Sequence, residues 1–110
     1  METIILRGAE HLVNEVLSGF KFKETPASSN IAMIGTNHAS KQLLVLYRYG
    51  KNGATQYMYN GVDDMVLNAA PDAVSIGGFI HKNVINQFEF EIIPYTLFTL
   101  VDPSKAAAEK

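Results

Sequence analysis

Between Leu43 and Phe88 the apolar pattern changes period, and this change restricts the possible folds more than any other feature of the chain. Leu43, Val45, Tyr47 and Tyr49 alternate against Leu44, Leu46 and Arg48, the period of two that a strand imposes. Gly50-Lys51-Asn52-Gly53 follows, residues that tolerate the positive φ of a hairpin turn. A returning strand then sets Thr55, Tyr57 and Tyr59 against Gln56 and Met58. Asn60-Gly61 stops it, and the pattern becomes helical. Val62 to Ala70 predicts a short helix, with Asp63 and Asp64 in the first turn, where they complement the macrodipole. Pro71 ends it. Ser75 has the chemistry of an N-cap for a second helix over Ile76 to Asn86.

The flanks extend this frame. Ile31 to Thr36 reads as a strand and Asn37 to Lys41 as its turn, so three consecutive strands form an antiparallel meander. Phe88, Phe90 and Ile92 alternate with Glu89 and Glu91, which suggests a fourth strand. Pro94 interrupts it. Tyr95 to Val101 is a further apolar segment, and the tail from Asp102 is expected to fray. At the other end, Thr3 to Leu6 is a β-branched run suited to an edge strand. Leu12, Val13, Val16 and Leu17 stand opposite Glu10, Asn14 and Glu15, predicting an amphipathic helix over Ala9 to Leu17 that Gly19 would close. Lys21 to Asn30, with Pro26 and two serines, reads as a linker. The expected fold is α+β: a three- to four-stranded antiparallel meander packed by two helices, with an N-terminal helical extension. The boundaries fall at residues 1–27, 28–93 and 94–110.

Composition limits the function classes. The 110 residues suit one domain of ordinary size. Net charge is −2, with the nine Lys and Arg scattered, so no overall positive field draws in nucleic acid or an anionic membrane. The absence of cysteine removes disulfides, thiol chemistry and sulfur-ligated metals. Met1-Glu2-Thr3 lacks a basic signal-peptide n-region, and no run approaches the ~18 apolar residues of a membrane span. A soluble, cytoplasmic protein is expected. Leu43 to Tyr49 is apolar on both faces, more than a one-sided sheet needs. Together with Tyr95 to Val101, that excess predicts a homo-oligomer.

Three pieces occur in a recognisable order. They are Ser28-Ser29-Asn30-Ile31-Ala32-Met33-Ile34-Gly35, the strands ending in Tyr57-Met58-Tyr59-Asn60-Gly61-Val62, and Ser75-x-Gly77-x-Phe79 followed by Asn83 and Phe88. In this order they resemble the KTSC domain, named for its occurrence at the C-terminus of some lysyl-tRNA synthetases and found also as small bacterial and phage proteins. The resemblance covers Ser28 to Ile93. It implies a small α+β domain in a nucleic-acid or protein-binding context. His81 stands where members often carry Asn, and Ile85 where they carry a basic residue, which counts against phosphate binding there. Phe88 stands where an aromatic residue is expected.

Candidate chemistry is sparse. His11 and Glu15 would lie one helical turn apart, as a solvated pair or, with further ligands, a metal site. His38 falls in a turn. His81 shares a helix face with Gly77 and either faces a pocket or caps the hydrophobic stripe. Gly-x-Ser-x-Gly is absent, and capping accounts for Ser75 without a nucleophilic role. Asp63 and Asp64 point about 100° apart on a helix and cannot act as a dyad. Ser75-x-Gly77-Gly78 offers free N–H groups at a helix start to an anion, or close helix–sheet packing. Tyr47, Tyr49, Tyr57 and Tyr59 make an aromatic ladder, a stacking platform if exposed and a sheet core if buried, which is the commoner arrangement.

The reading is a non-catalytic binding module, a small phage or bacterial protein holding a host protein or a nucleotide-like ligand. The expected ligand-binding residues are Arg48, Tyr57, Tyr59, Ser75, Gly77, Phe79, His81 and Asn83. No catalytic residue, metal or cofactor is expected. The alternative is an RNA-binding domain, with tRNA or another structured RNA as partner. An enzyme is least supported, because acid, base and nucleophile cannot be assembled.

Overall fold

A computed structural model describes residues 2–6, 8–50 and 55–101. The chain divides into two compact units, one of residues 19–94 and one of residues 1–18 with 95–110.

The larger unit is a five-stranded antiparallel meander. Its strands are β3 (Lys21–Glu24), β4 (Ile31–Asn37), β5 (Gln42–Tyr47), β6 (Gln56–Asn60) and β7 (Phe90–Ile92), paired in that order. The strand expected at Ile31 to Thr36 is present as β4, and the alternation read from the sequence holds for β5 and β6, where Val45 pairs with Tyr57 and Leu43 with Tyr59. Two helices, α1 (Asp64–Ala69) and α2 (Ile76–Asn83), separate β6 from β7. Asp63 caps α1 by accepting from the Val66 N–H at 3.0 Å. Pro71 lies inside a 3-10 turn, Ala70–Asp72, that prolongs α1. Ser75 caps α2 as its residue type predicts, accepting from the Gly78 N–H at 3.3 Å. That helix stops three residues short of the expected Asn86. The Ile85 N–H turns back to the Ile80 carbonyl, and Asn86 takes a left-handed φ of 66°.

Both helices contribute to one core cluster with the sheet, in which Ile34, Val45, Leu67, Ile76, Ile80 and Val84 are buried. Each such side chain contributes roughly 1.5–3 kcal/mol on burial. A register shift between Ile31 and Met33 breaks the alternation of β4, so Ile31 and Ile34, three apart, join the same core cluster. This is the effect of a bulge. On the opposite face Gly35 sits beneath Phe22; a Cβ there would lie 2.9 Å from the Phe22 ring. Leu43, Leu44 and Val45 have no exposed surface. Both apolar faces of β5 are therefore covered at these positions.

The smaller unit is a three-stranded antiparallel sheet of β2 (Ala9–Val13) flanked by β1 (Thr3–Leu6) and β8 (Phe98–Leu100). This corrects the expected N-terminal helix. Nine residues hold a helix poorly by themselves, whereas β1 and β8 offer Ala9–Val13 a partner on each edge. Gly8, at φ 78°, turns the chain between β1 and β2. Only Glu15–Leu17 coils, as a 3-10 turn. Asn14 starts it by accepting from the Val16 N–H, and its amide donates to the Thr96 carbonyl at 2.9 Å. The helical spacing of His11 and Glu15 is consequently absent. The linker expectation for residues 21–30 is also corrected: Lys21–Glu24 pairs with β4 in register from Lys21–Thr36 to Glu24–Met33, Phe22 packing over Gly35 being the apolar contact that holds it. The turn at residues 51–54 and the tail from residue 102 lie outside the described residues.

Candidate functional site

A cleft of about 410 Å³ opens in the larger unit, between the segment that follows β3 and the start of α2. Local chemistry builds each wall. Thr25 and Pro26 end β3, and the Ser28 hydroxyl accepts from the Asn30 and Ile31 N–H groups at 3.3 and 3.0 Å, closing a tight side-chain turn. The Thr25 hydroxyl donates to the Ile31 carbonyl at 2.5 Å. Arg48 locks this turn from outside the cleft, its Nε donating to the Ser28 carbonyl and its Nη2 to the Thr25 carbonyl, each at 2.9 Å. The facing wall is Ala73–Gly78. There the N–H groups of Ile76 and Gly77, in the first turn of α2, have no intrahelical acceptor.

The two walls meet at Gly77. A Cβ on Gly77 would lie 3.8 Å from both Asn30 Nδ2 and Ser28 Oγ, an ordinary contact distance. Of the two explanations for this glycine, close helix–sheet packing does not apply, because the space beside it belongs to the cleft. Gly78 differs: a Cβ there would fall 3.0 Å from the capping Ser75 Oγ. Lys23, whose Nζ donates to the Pro71 carbonyl, and Glu24 stand among the lining residues with Pro26 and Val74. The cleft lining thus mixes polar and apolar side chains, with one charge of each sign.

Of the residues singled out in the sequence, Ser75 and Gly77 line this cleft and Arg48 supports it. The others lie elsewhere. Phe79 packs against the core. His81 is exposed, and the Asn83 amide donates to the Phe79 carbonyl at 3.1 Å. Tyr59 is buried at 3% exposure, and Tyr47 and Tyr57 are half-buried. The ladder exists, with Tyr57 and Tyr59 stacked at 6.4 Å and Tyr47 edge-on to Tyr57 at 5.3 Å. Phe90 covers Tyr57 and Tyr59 at 5.3 and 5.7 Å, so the ladder is chiefly core. Tyr49, 82% exposed, stands outside it. The Tyr47 and Tyr59 hydroxyls lie 3.3 Å apart, and burial raises the pKa of both phenols.

Sequence reasoning missed Thr25, Ser28 and Asn30 as site residues. Their signal was a cluster of turn-forming hydroxyl and amide side chains on either side of Pro26, read as linker instead. A separate polar group joins His38 Nδ1 and Lys41 Nζ to Asp64 at 2.9 and 2.7 Å on the exposed surface. Among the described residues, no three His, Asp or Glu side chains converge as a metal site, and no helix is long and apolar enough to cross a membrane.

Comparison of the fold with solved structures finds a KTSC domain protein from Yersinia pestis. It superposes with a TM-score of 0.60 at 24% identity, covering 67% of this chain and 97% of that one. The chain carries the KTSC-domain fold. Of the three pieces that suggested it, Ser28–Gly35 and Ser75–Phe79 contribute residues to the cleft and so meet in space, whereas Tyr57–Val62 lies away from it. No family model matches the sequence, and no curated protein matches it.

Proposed function

We propose that this protein is a non-catalytic binding module, and that the cleft between the Thr25–Asn30 turn and the start of α2 receives a nucleotide-like ligand. The observation that carries the reading is the convergence at Gly77. Segments more than forty positions apart in the chain bring Ser28, Asn30, Ser75 and two helix-start N–H groups to one cavity. Its volume falls in the range of about 300–1,000 Å³ usual for small-molecule sites. The N–H groups of Ile76 and Gly77 suit an anionic group, the hydroxyls and the Asn30 amide suit a sugar or base edge, and Pro26 and Val74 suit a ring face. The offset of Lys23 by Glu24 favours a ligand of low net charge over a polyphosphate. The tyrosine ladder serves this reading as scaffold.

The test is titration of ¹⁵N-labelled protein with AMP and with ATP. The expected result is amide shifts confined to residues 25–30 and 75–78, larger for AMP at equal concentration. Gly77→Ala sharpens the test. Alanine at this first-turn position removes backbone freedom that glycine must lose, stabilising by less than the roughly 1 kcal/mol of a helix interior, while its methyl group intrudes on the ligand. A variant with raised Tm and at least tenfold weaker nucleotide binding supports the reading. Shifts elsewhere, or unchanged binding in that variant, overturn it.

A further inference from the structure

One edge of the five-stranded sheet is left open in an unusual way. β7 pairs only with β6 among the described residues. Its inward groups are known: the Asn60 N–H donates to the Glu89 carbonyl and the Ile93 N–H to the Gln56 carbonyl, both at 2.8 Å. Antiparallel alternation then directs the N–H and C=O groups of Phe90 and Ile92 away from the sheet. Their side chains share one face, opposite Tyr59 and Tyr57, and are 53% and 50% exposed. The Phe90 ring is already fixed by its two tyrosine neighbours. Glu89 and Glu91 occupy the other face, both exposed, with no ion pair among the described residues.

We infer that β7 is a docking edge for an extended segment of a partner protein in which Lys or Arg alternates with aliphatic residues. Strand addition would satisfy the outward main-chain groups. Alternate side chains of the incoming strand would meet Phe90 and Ile92 on one face and the two glutamates on the other. The charges select the occupant. A second copy pairing β7 with β7 about a two-fold axis would set Glu91 against Glu91, and like charges directly opposite destabilise a strand pair. A basic strand gains where the copy loses. Three residues of β7 give a short, salt-sensitive contact, suited to a transient partner. This inference is independent of the ligand cleft, which shares no residue with β7.

The probe is the capped peptide Ac-KVKVKVK-NH2, with Ac-EVEVEVE-NH2 as its charge-reversed control, titrated into the full ¹⁵N-labelled chain. The basic peptide should shift the amides of residues 89–93, and weaken at least tenfold between low and physiological salt; the acidic peptide should shift none of them. Ile92→Pro removes an outward N–H without removing a bond to β6, so it should abolish peptide binding while the β6 amides keep their positions. Glu91→Lys should reverse the preference between the two peptides. Equal response to both peptides, full binding by Ile92→Pro, or β7 shifts that depend on protein concentration without peptide would each overturn the inference, the last in favour of a second copy.

Discussion

Arg48 Nε donates to the Ser28 carbonyl oxygen at 2.9 Å, so a side chain of β5 holds the turn that forms one wall of the cleft. Hydrogen bonds from a charged donor are worth about 1.5–3 kcal/mol each, and two are made here in a half-buried setting. Arg48→Met, which keeps the aliphatic stem, should lower stability by about 2–4 kcal/mol. Arg48→Lys should recover less than half, because an ammonium cannot reproduce the planar fork that spans two carbonyls. Thermal denaturation gives the loss, and hydrogen exchange at residues 25–31 should show it concentrated there.

Gly35 is constrained by contact rather than by its dihedral angles. Phe22 crosses over it, and an added Cβ would meet the ring at 2.9 Å. Gly35→Ala should destabilise by about 1–3 kcal/mol, the usual cost of overpacking. Pairing it with Phe22→Leu should restore part of that loss, and a double-mutant cycle measures the coupling.

The buried phenols predict a response to alkali. Burial raises Tyr47 and Tyr59 above the ordinary 10.0, and for Tyr47 the hydrogen bond to Tyr59 adds to it. An acid whose folded pKa is raised keeps its proton in the folded state after the unfolded chain has lost it. Stability is therefore intact below pH 10 and falls as pH rises above it. Tyrosinate absorbance near 295 nm should appear in two stages, the second coinciding with unfolding. Tyr47→Phe should make the decline shallower.

Asp64 gives the opposite sign at the acid end. The hydrogen bond from Lys41, and then that from His38, hold its carboxyl below the ordinary 3.8. What it contributes to stability is present above that value and is lost as pH falls through the lower folded pKa. Lys41→Met should return the carboxyl midpoint toward 3.8 by more than His38→Gln does, as read from its ¹³C shift.

Much of the larger unit was legible because its signals are local. An apolar run marked β4, period-two alternation marked β5 and β6, and Asp63 and Ser75 stand where the two helices start. The failures share a cause. Ala9–Val13 became a strand because β1 and β8 lie beside it, and Lys21–Glu24 because Gly35 leaves room for Phe22. Neither fact is carried by the segment itself. The cleft was half legible on the same terms. Ser75 and Gly77 are conspicuous at a helix start, but Ser28 and Asn30 become site residues only when α2 is laid against them. The exposure of β7 is likewise a property of sheet order.

The register shift between Ile31 and Met33 has a consequence for chain length. It turns Ile31 toward the helices, and so delivers the preceding turn to the side of the sheet where α2 begins. Without the extra residue, Ile31 would face the other way and the turn would leave from the far side. One residue gained or lost between 31 and 33 would redirect the whole wall. Among relatives of this fold, length variation should be strictly refused across the three positions that follow Asn30.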